Sequence, residues 1–419
     1  MPRRTPTDPM RPIRSCLLST LTLALVASGC GGQAASDLVV SSDPALAAMA
    51  AELLPDLAAR AGMELSAPVR LEKRSRDELV RYLRMTLDED LPEAEAQART
   101  DAYALLGMVE PDLDLRGVLL GLYTEQVAGF YEPDSTALFV LDDQPEAAVE
   151  ALLIHELVHA VQDQNVPLDE LTDPSLGNDR ATAAQAAIEG HATLVMFEYL
   201  TEQLTGAPID LSQIPDFESQ IRPALTGMNQ QFPALAQAPR VIRESLLFPY
   251  IEGAVFVQRL WSDGARQNPF GPRMPGSTEQ IIHNGAASPV ELLVQVAEGE
   301  VVLNDVLGSF ELQIMLEDVL GLPGGIPGAG DAGTLASAWD GDRYVLVESA
   351  SGGRSLLWVA VWSDEGARDG FAEAVSARPL EFGGPVSVNR LEIDGYPATM
   401  LRIGAGNLDV KVEVLDSGS

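Results

Sequence analysis

The chain has 419 residues, with 62 acidic side chains against 27 Lys and Arg, four histidines, two cysteines and a formal net charge of −35. An apolar fraction of 46% fits a globular protein of one large or two ordinary domains, and the charge argues against nucleic-acid binding, which needs clustered Lys and Arg. Two cysteines exclude a disulfide scaffold and a four-cysteine zinc site.

Arg3, Arg4, Arg11 and Arg14 precede an apolar run from Leu17 to Ala27, followed by Ser28, Gly29 and Cys30. A basic segment, a short apolar segment and small residues read as a secretory signal peptide over 1–29. The run is shorter than the ~20 apolar residues that span a bilayer. A cysteine directly after the small residues resembles a bacterial lipobox, with Cys30 as the lipidated first residue and Cys16 lost with the signal. The mature chain would then keep 23 Lys and Arg and 61 acids, a net −38. Gly31 and Gly32 replace the aspartate that often retains lipoproteins at the inner membrane. The expected location is the bacterial cell envelope, outside the cytoplasm and lipid-anchored, with the outer membrane favoured. A surface this acidic disfavours anionic membranes and nucleic acid.

Residues 30–42 are small and polar and read as a tether. From Pro44 to Arg60 the apolar residues recur at helical spacing. Val69 to Leu71 suggests a short strand. Ser75, with Asp77 and Glu78 behind it, opens a helix with an acidic first turn. Further helix is expected over 92–107 and 115–127. The texture then changes. Gly129 to Leu141 reads as strand, turn and strand, with Pro133 to Thr136 supplying the turn. Long helices follow over 146–165 and 179–204, the second capped by Asn178 or Asp179. More helix is expected over 240–262 and 289–320. Six Gly and two Pro crowd 321–333, a linker by composition. After it, 343–348 and 356–362 read as a hairpin, Asp364 to Ser376 as a helix, and 398–403 and 410–415 as strands. The expected architecture is α+β and mainly helical. A 43–320 domain precedes the linker, and a small α+β domain over 334–419 follows it.

Within the 146–165 helix lies His155-Glu156-Leu157-Val158-His159. Histidines at i and i+4 share a helix face, so both imidazoles can reach one metal. Glu156 is turned away from that pair but can still reach a water at the metal and take its proton. A catalytic zinc site needs a third protein ligand. Glu189 is the candidate, mid-helix among small residues that would let its helix pack close. His191 is the rival. Two residues apart on a helix, the pair face nearly opposite ways and should not both bind, and Glu189 is preferred.

These residues carry a resemblance. His155-Glu156-x-x-His159 with a distant helical Glu189 resembles the gluzincin zinc metallopeptidases, with a zincin-like core. A narrower likeness is to an uncharacterised bacterial lipoprotein metallopeptidase-like group. That likeness rests on Gln126 to Pro133, on His155 to Gln164 and on Glu189-Gly190. Pro249-Tyr250 with Gly253 and Phe256, and Ser277 to His283, extend it. It spans 75–350. In that group an acid often follows the Glu-Gly pair; here the residue is His191.

The resemblance implies one zinc per chain held by His155, His159 and Glu189, with Glu156 as general base. It implies a peptide or protein substrate laid against the strand Ala137–Leu141 as an edge. Tyr250, His283 and Tyr131, in that order, are candidate donors to the developing oxyanion. Asp163, one turn past His159, is a candidate partner for an imidazole. Two other readings stand beside this one: a zinc hydrolase of a non-peptide substrate, and a lipoprotein binding or scaffolding module acting through 334–419.

Overall fold

Helices hold about 53% of the chain and strands about 20%, a mixed α+β composition. The computed structural model describes residues 38–415, apart from 134, 229–231, 263–265, 284–285, 325–330, 405 and 407. The expected signal peptide and Cys30 lie outside the described residues. Among those described, no helix is long and apolar enough to cross a membrane.

The first half is built from β1 (Val39–Ser41), α1 (Pro44–Ala61), β2 (Val69–Arg74), α2 (Arg76–Asp90), α3 (Glu93–Leu105), α4 (Leu115–Gln126), β3 (Gly129–Glu132), β4 (Ala137–Leu141) and α5 (Glu146–Asp163). The expected helix starts are supported by chemistry at their ends. Asp43 accepts from the amides of Ala45 and Leu46 at α1, and Ser75 and Glu78 close a reciprocal capping box at α2.

The four strands form one sheet in the order β1-β2-β4-β3. β2 runs parallel to both β1 and β4, and β3 closes the far edge antiparallel to β4. The strand expected at the edge, Ala137–Leu141, is therefore interior, and β3 takes its place. The reason is legible in the residues. Ala137-Leu138-Phe139-Val140-Leu141 is apolar on both faces and buried throughout, the pattern of a strand covered on both sides. Ala137, Phe139 and Leu141 pack with Leu79 and Leu83 of α2, while Leu138 and Val140 join the core formed with α1 and α5.

The middle of the chain is helical: α6 (Leu168–Leu171), α7 (Asn178–Thr205), α8 (Phe217–Met228), α9 (Pro233–Gln237), α10 (Arg240–Ser262) and α11 (Thr278–Ile282). Neither Asn178 nor Asp179 caps α7; Gly177 holds that position, without a side-chain bond. Asp179 instead accepts from the backbone amide of Thr278 at 3.0 Å and from its hydroxyl, fastening α11 to the start of α7.

The last part holds β5 (Leu292–Val296), β6 (Glu300–Asp305), α12 (Gly308–Asp318), α13 (Ala332–Ala336), β7 (Trp339–Glu348), β8 (Arg354–Trp362), α14 (Glu365–Ala377), β9 (Val386–Ile393), β10 (Tyr396–Gly404) and β11 (Val410–Val414). The helix expected over 289–320 is only α12; two strands precede it. A five-stranded sheet runs β6-β7-β8-β10-β9, and β11 pairs with β5 in a second, two-stranded one. One face of the larger sheet buries Trp339, Trp358 and Trp362 against Phe371 of α14 and the apolar sides of α3 and α12. Val345, Leu357 and Val359 on the other face meet Leu292 and Val294 of β5. Strand pairing crosses the Gly/Pro segment at 321–333, because β6 precedes it and β7 follows it. The sheet-bearing unit thus reaches back to Leu292 and includes residues from the expected 43–320 domain.

Candidate metal site

The stretch Ala151–Gln162 of α5 is buried at every residue, as a helix between a sheet and other helices must be. Four polar side chains interrupt it: His155, Glu156, His159 and Gln162, each 1% exposed or less. Polar groups so placed cost stability unless they find partners. The partners come from α7 and β3.

α7 reaches α5 through its middle, where Ala186 to Met196 is buried. Its opposite side meets α10 backbone to backbone. A Cβ on Gly190 would stand 2.0 Å from the carbonyl carbon of Gly253, and one on Gly253 would stand 2.1 Å from the carbonyl oxygen of Ala186. Only glycine fits at this crossing. The close approach holds Glu189 on one side of α7 and brings Tyr250, on α10, to the site. The ring centroids of Tyr250 and His155 lie 6.1 Å apart.

Three electron-pair donors converge. Nε2 of His155 is 3.0 Å from Nε2 of His159 and 3.2 Å from Oε2 of Glu189, and Nε2 of His159 is 3.5 Å from the same oxygen. Tetrahedral ligation at about 2.0–2.1 Å would separate neighbouring ligand atoms by about 3.3 Å. The observed edges bracket that value. Oε1 of Glu189 has no hydrogen-bond partner among the described residues. Two imidazole nitrogens and a carboxylate, all buried, suit a divalent metal such as zinc. The group expected from sequence is therefore brought together.

Electrostatics follow from burial and these contacts. Burial pushes His155 below the usual histidine range, only partly opposed by its bond to Glu189. Burial pushes the Glu189 carboxyl up, but the hydrogen bonds and charges of His155 and His159 together outweigh it and leave the value lowered. Burial, and then the negative charge of Glu189, hold Glu156 well above the ordinary carboxylate value, although the Tyr131 amide donates to it. That amide, on β3, lies 3.0 Å from Oε2 of Glu156.

The remaining candidates fall in different places. The Tyr131 hydroxyl donates to Asp163 at 2.8 Å, so it is already engaged, and Asp163 turns to it rather than to an imidazole. The imidazole partner is Gln162, whose Oε1 is 2.7 Å from Nδ1 of His159. Sequence reasoning passed over Gln162. Its signal was an amide three residues after His159, on the ligand face of an otherwise apolar helix. His191 is outside the converging group, as its opposite facing implied. It lies edge-on to Trp261 and Phe270, with burial lowering it to about 3. His283 follows the last turn of α11; burial and nearby Arg259 lower its value, and it is not part of the metal-ligand group.

Comparison with known proteins bears on the other end of the chain. A family described as a domain of unknown function (DUF8575) matches residues 295–402, from β5 to β10. No curated protein and no solved structure matches the chain. The matched span contains none of His155, Glu156, His159 or Glu189.

Proposed function

We propose that the protein is a zinc-dependent peptidase of gluzincin type, tethered outside the cytoplasm through Cys30. The observation that carries this reading is the buried convergence of His155, His159 and Glu189 beside Glu156. A zinc ion held there would supply Lewis-acid chemistry, polarising a carbonyl and making water acidic near neutrality.

The chain's own residues supply the rest. Glu156 is placed to take a proton from water and pass it to the leaving amine. The Tyr131 amide fixes the orientation of that carboxylate. Tyr250, beside His155, is the candidate to donate to the developing oxyanion. β3 is the outermost strand on the side of the sheet nearest the site, and an extended peptide could add to it. A four-stranded sheet with an antiparallel outer strand, followed by a helix carrying the two histidines, agrees with a zincin-like core.

Metal analysis of the purified protein and profiling of cleavage products test the reading. About one zinc per chain is expected, with zinc kept in Glu156→Gln and lost in Glu189→Ala. Cleavage products present with the native protein and absent with Glu156→Gln are expected. Identical products from both would point to the binding-module reading. Membrane fractionation of Cys30→Ser tests the anchor; retention in the membrane fraction would count against it.

A further inference from the structure

We infer that Gln162 is a positioning residue: it fixes His159 in the tautomer that carries its proton on Nδ1 and presents a bare Nε2 to the metal. The inference rests on the metal reading above and deepens it. Gln162 is fully buried and bonded at both ends of its amide.

The orientation of that amide follows from its neighbours. The carbonyl oxygen of Ile188 lies 3.0 Å from Nε2 of Gln162. A carbonyl can only accept, so the amino end must face it. The second hydrogen of that amino group meets Nδ1 of His191, also at 3.0 Å. Nδ1 of His191 therefore accepts. With the amino end committed, Oε1 is the atom left facing Nδ1 of His159, at 2.7 Å. An amide oxygen cannot donate, so the imidazole must. In the neutral form of the ring the proton therefore sits on Nδ1, which leaves the Nε2 lone pair, on the side of His155 and Glu189, for a metal.

The arrangement is one-sided. Nδ1 of His155 is buried and has no hydrogen-bond partner among the described residues. One ligand ring is thus oriented by a bonded chain and the other by packing, including that against Tyr250. The chain His191–Gln162–His159 also runs from α7 to α5, so the two ligand-bearing helices are joined beside the ligands themselves. His191 is part of this chain.

Two measurements on the full-length protein test this. The first is nitrogen-15 NMR of histidine-labelled, metal-free native protein. The expected result is His159 with its proton on Nδ1; a proton on Nε2 would overturn the inference. The second is zinc affinity by chelator competition for Gln162→Met, which keeps the volume and removes the amide. About a 10- to 100-fold loss is expected, with circular dichroism and melting temperature close to native. Native affinity in that variant would overturn it. Should Gln162→Met not fold, the tautomer of the native protein decides. Failure of the native protein to bind zinc at all would overturn the metal reading itself, an outcome separate from the position of the proton.

Discussion

The backbone amide of Tyr131 donates a 3.0 Å hydrogen bond to Oε2 of Glu156. The outer strand of the first sheet therefore holds the carboxylate proposed to move the proton. Because the donor is main chain, a replacement at 131 other than proline leaves it in place. Tyr131→Phe should cost about 1 kcal/mol of stability, from the lost bond to Asp163. It should lower kcat by less than about 10-fold, below the usual contribution of a proton-transferring group. Denaturant titration and steady-state kinetics check both. A larger drop in kcat would restore the Tyr131 hydroxyl as a participant.

Tyr250 and His283 separate in the structure, although the sequence offered both as oxyanion donors. Only Tyr250 has its ring beside His155. Tyr250→Phe should reduce kcat by about 10²- to 10³-fold with KM little changed, the signature of a contact made in the transition state. His283→Ala should leave both constants near native. Equal effects from the two would reject the assignment.

The crossing of α7 and α10 predicts a structural failure. Gly253→Ala places a methyl 2.1 Å from the Ala186 carbonyl oxygen, so the helices must separate. Overpacking of this kind costs about 1–3 kcal/mol. The separation also moves Tyr250 from His155, so turnover should fall further than stability alone explains. Chemical denaturation and kinetics of the one variant measure both effects.

Stability should fall as pH rises toward 8, and Glu311 is the clearest cause. Burial pushes it up to about 8, against hydrogen bonds from Tyr103 and Asn178 and the charge of Arg99. Its folded value lies above the ordinary one near 4.5, so the native state binds the extra proton between those limits. The associated stability is present below about pH 4.5 and is lost as pH rises through about 8. Asp179 and Glu279, each raised to about 7 mainly by burial, act in the same direction. Glu311→Gln should lose less stability than the native protein across that window. Urea midpoints measured across the range check it; parallel curves would remove Glu311 as a cause.

The metal-ligand set was legible because its information is local. His155 and His159 sit one helical turn apart, and the apolar residues around them announce a buried helix. Glu189 followed from the small residues about it, which the glycine crossing with α10 explains. Pairing partners were less legible. Nothing near Ala137 states that its neighbour is β2, more than 60 residues earlier, so an interior strand read as an edge. The two-sided apolar run was the clue that should have outweighed sequence adjacency. The upstream strands β5 and β6 were missed for the same reason: their partners lie beyond the Gly/Pro segment. Gln162 was missed because an amide in a helix has no chemistry of its own until its neighbours are known.

The pairing of β5 with β11 sets a timetable. Val296 pairs with Val410, 114 residues later. At about 5–20 residues per second, β5 waits roughly 6 to 23 seconds after its synthesis before its partner exists. During that interval it offers an unpaired strand edge rich in Leu and Val. The nascent chain therefore passes through a sticky stage that ends only once β11 has been made. A factor that shields such segments during synthesis or export should raise the yield of folded protein, and a truncation before Val410 should leave that stage permanent.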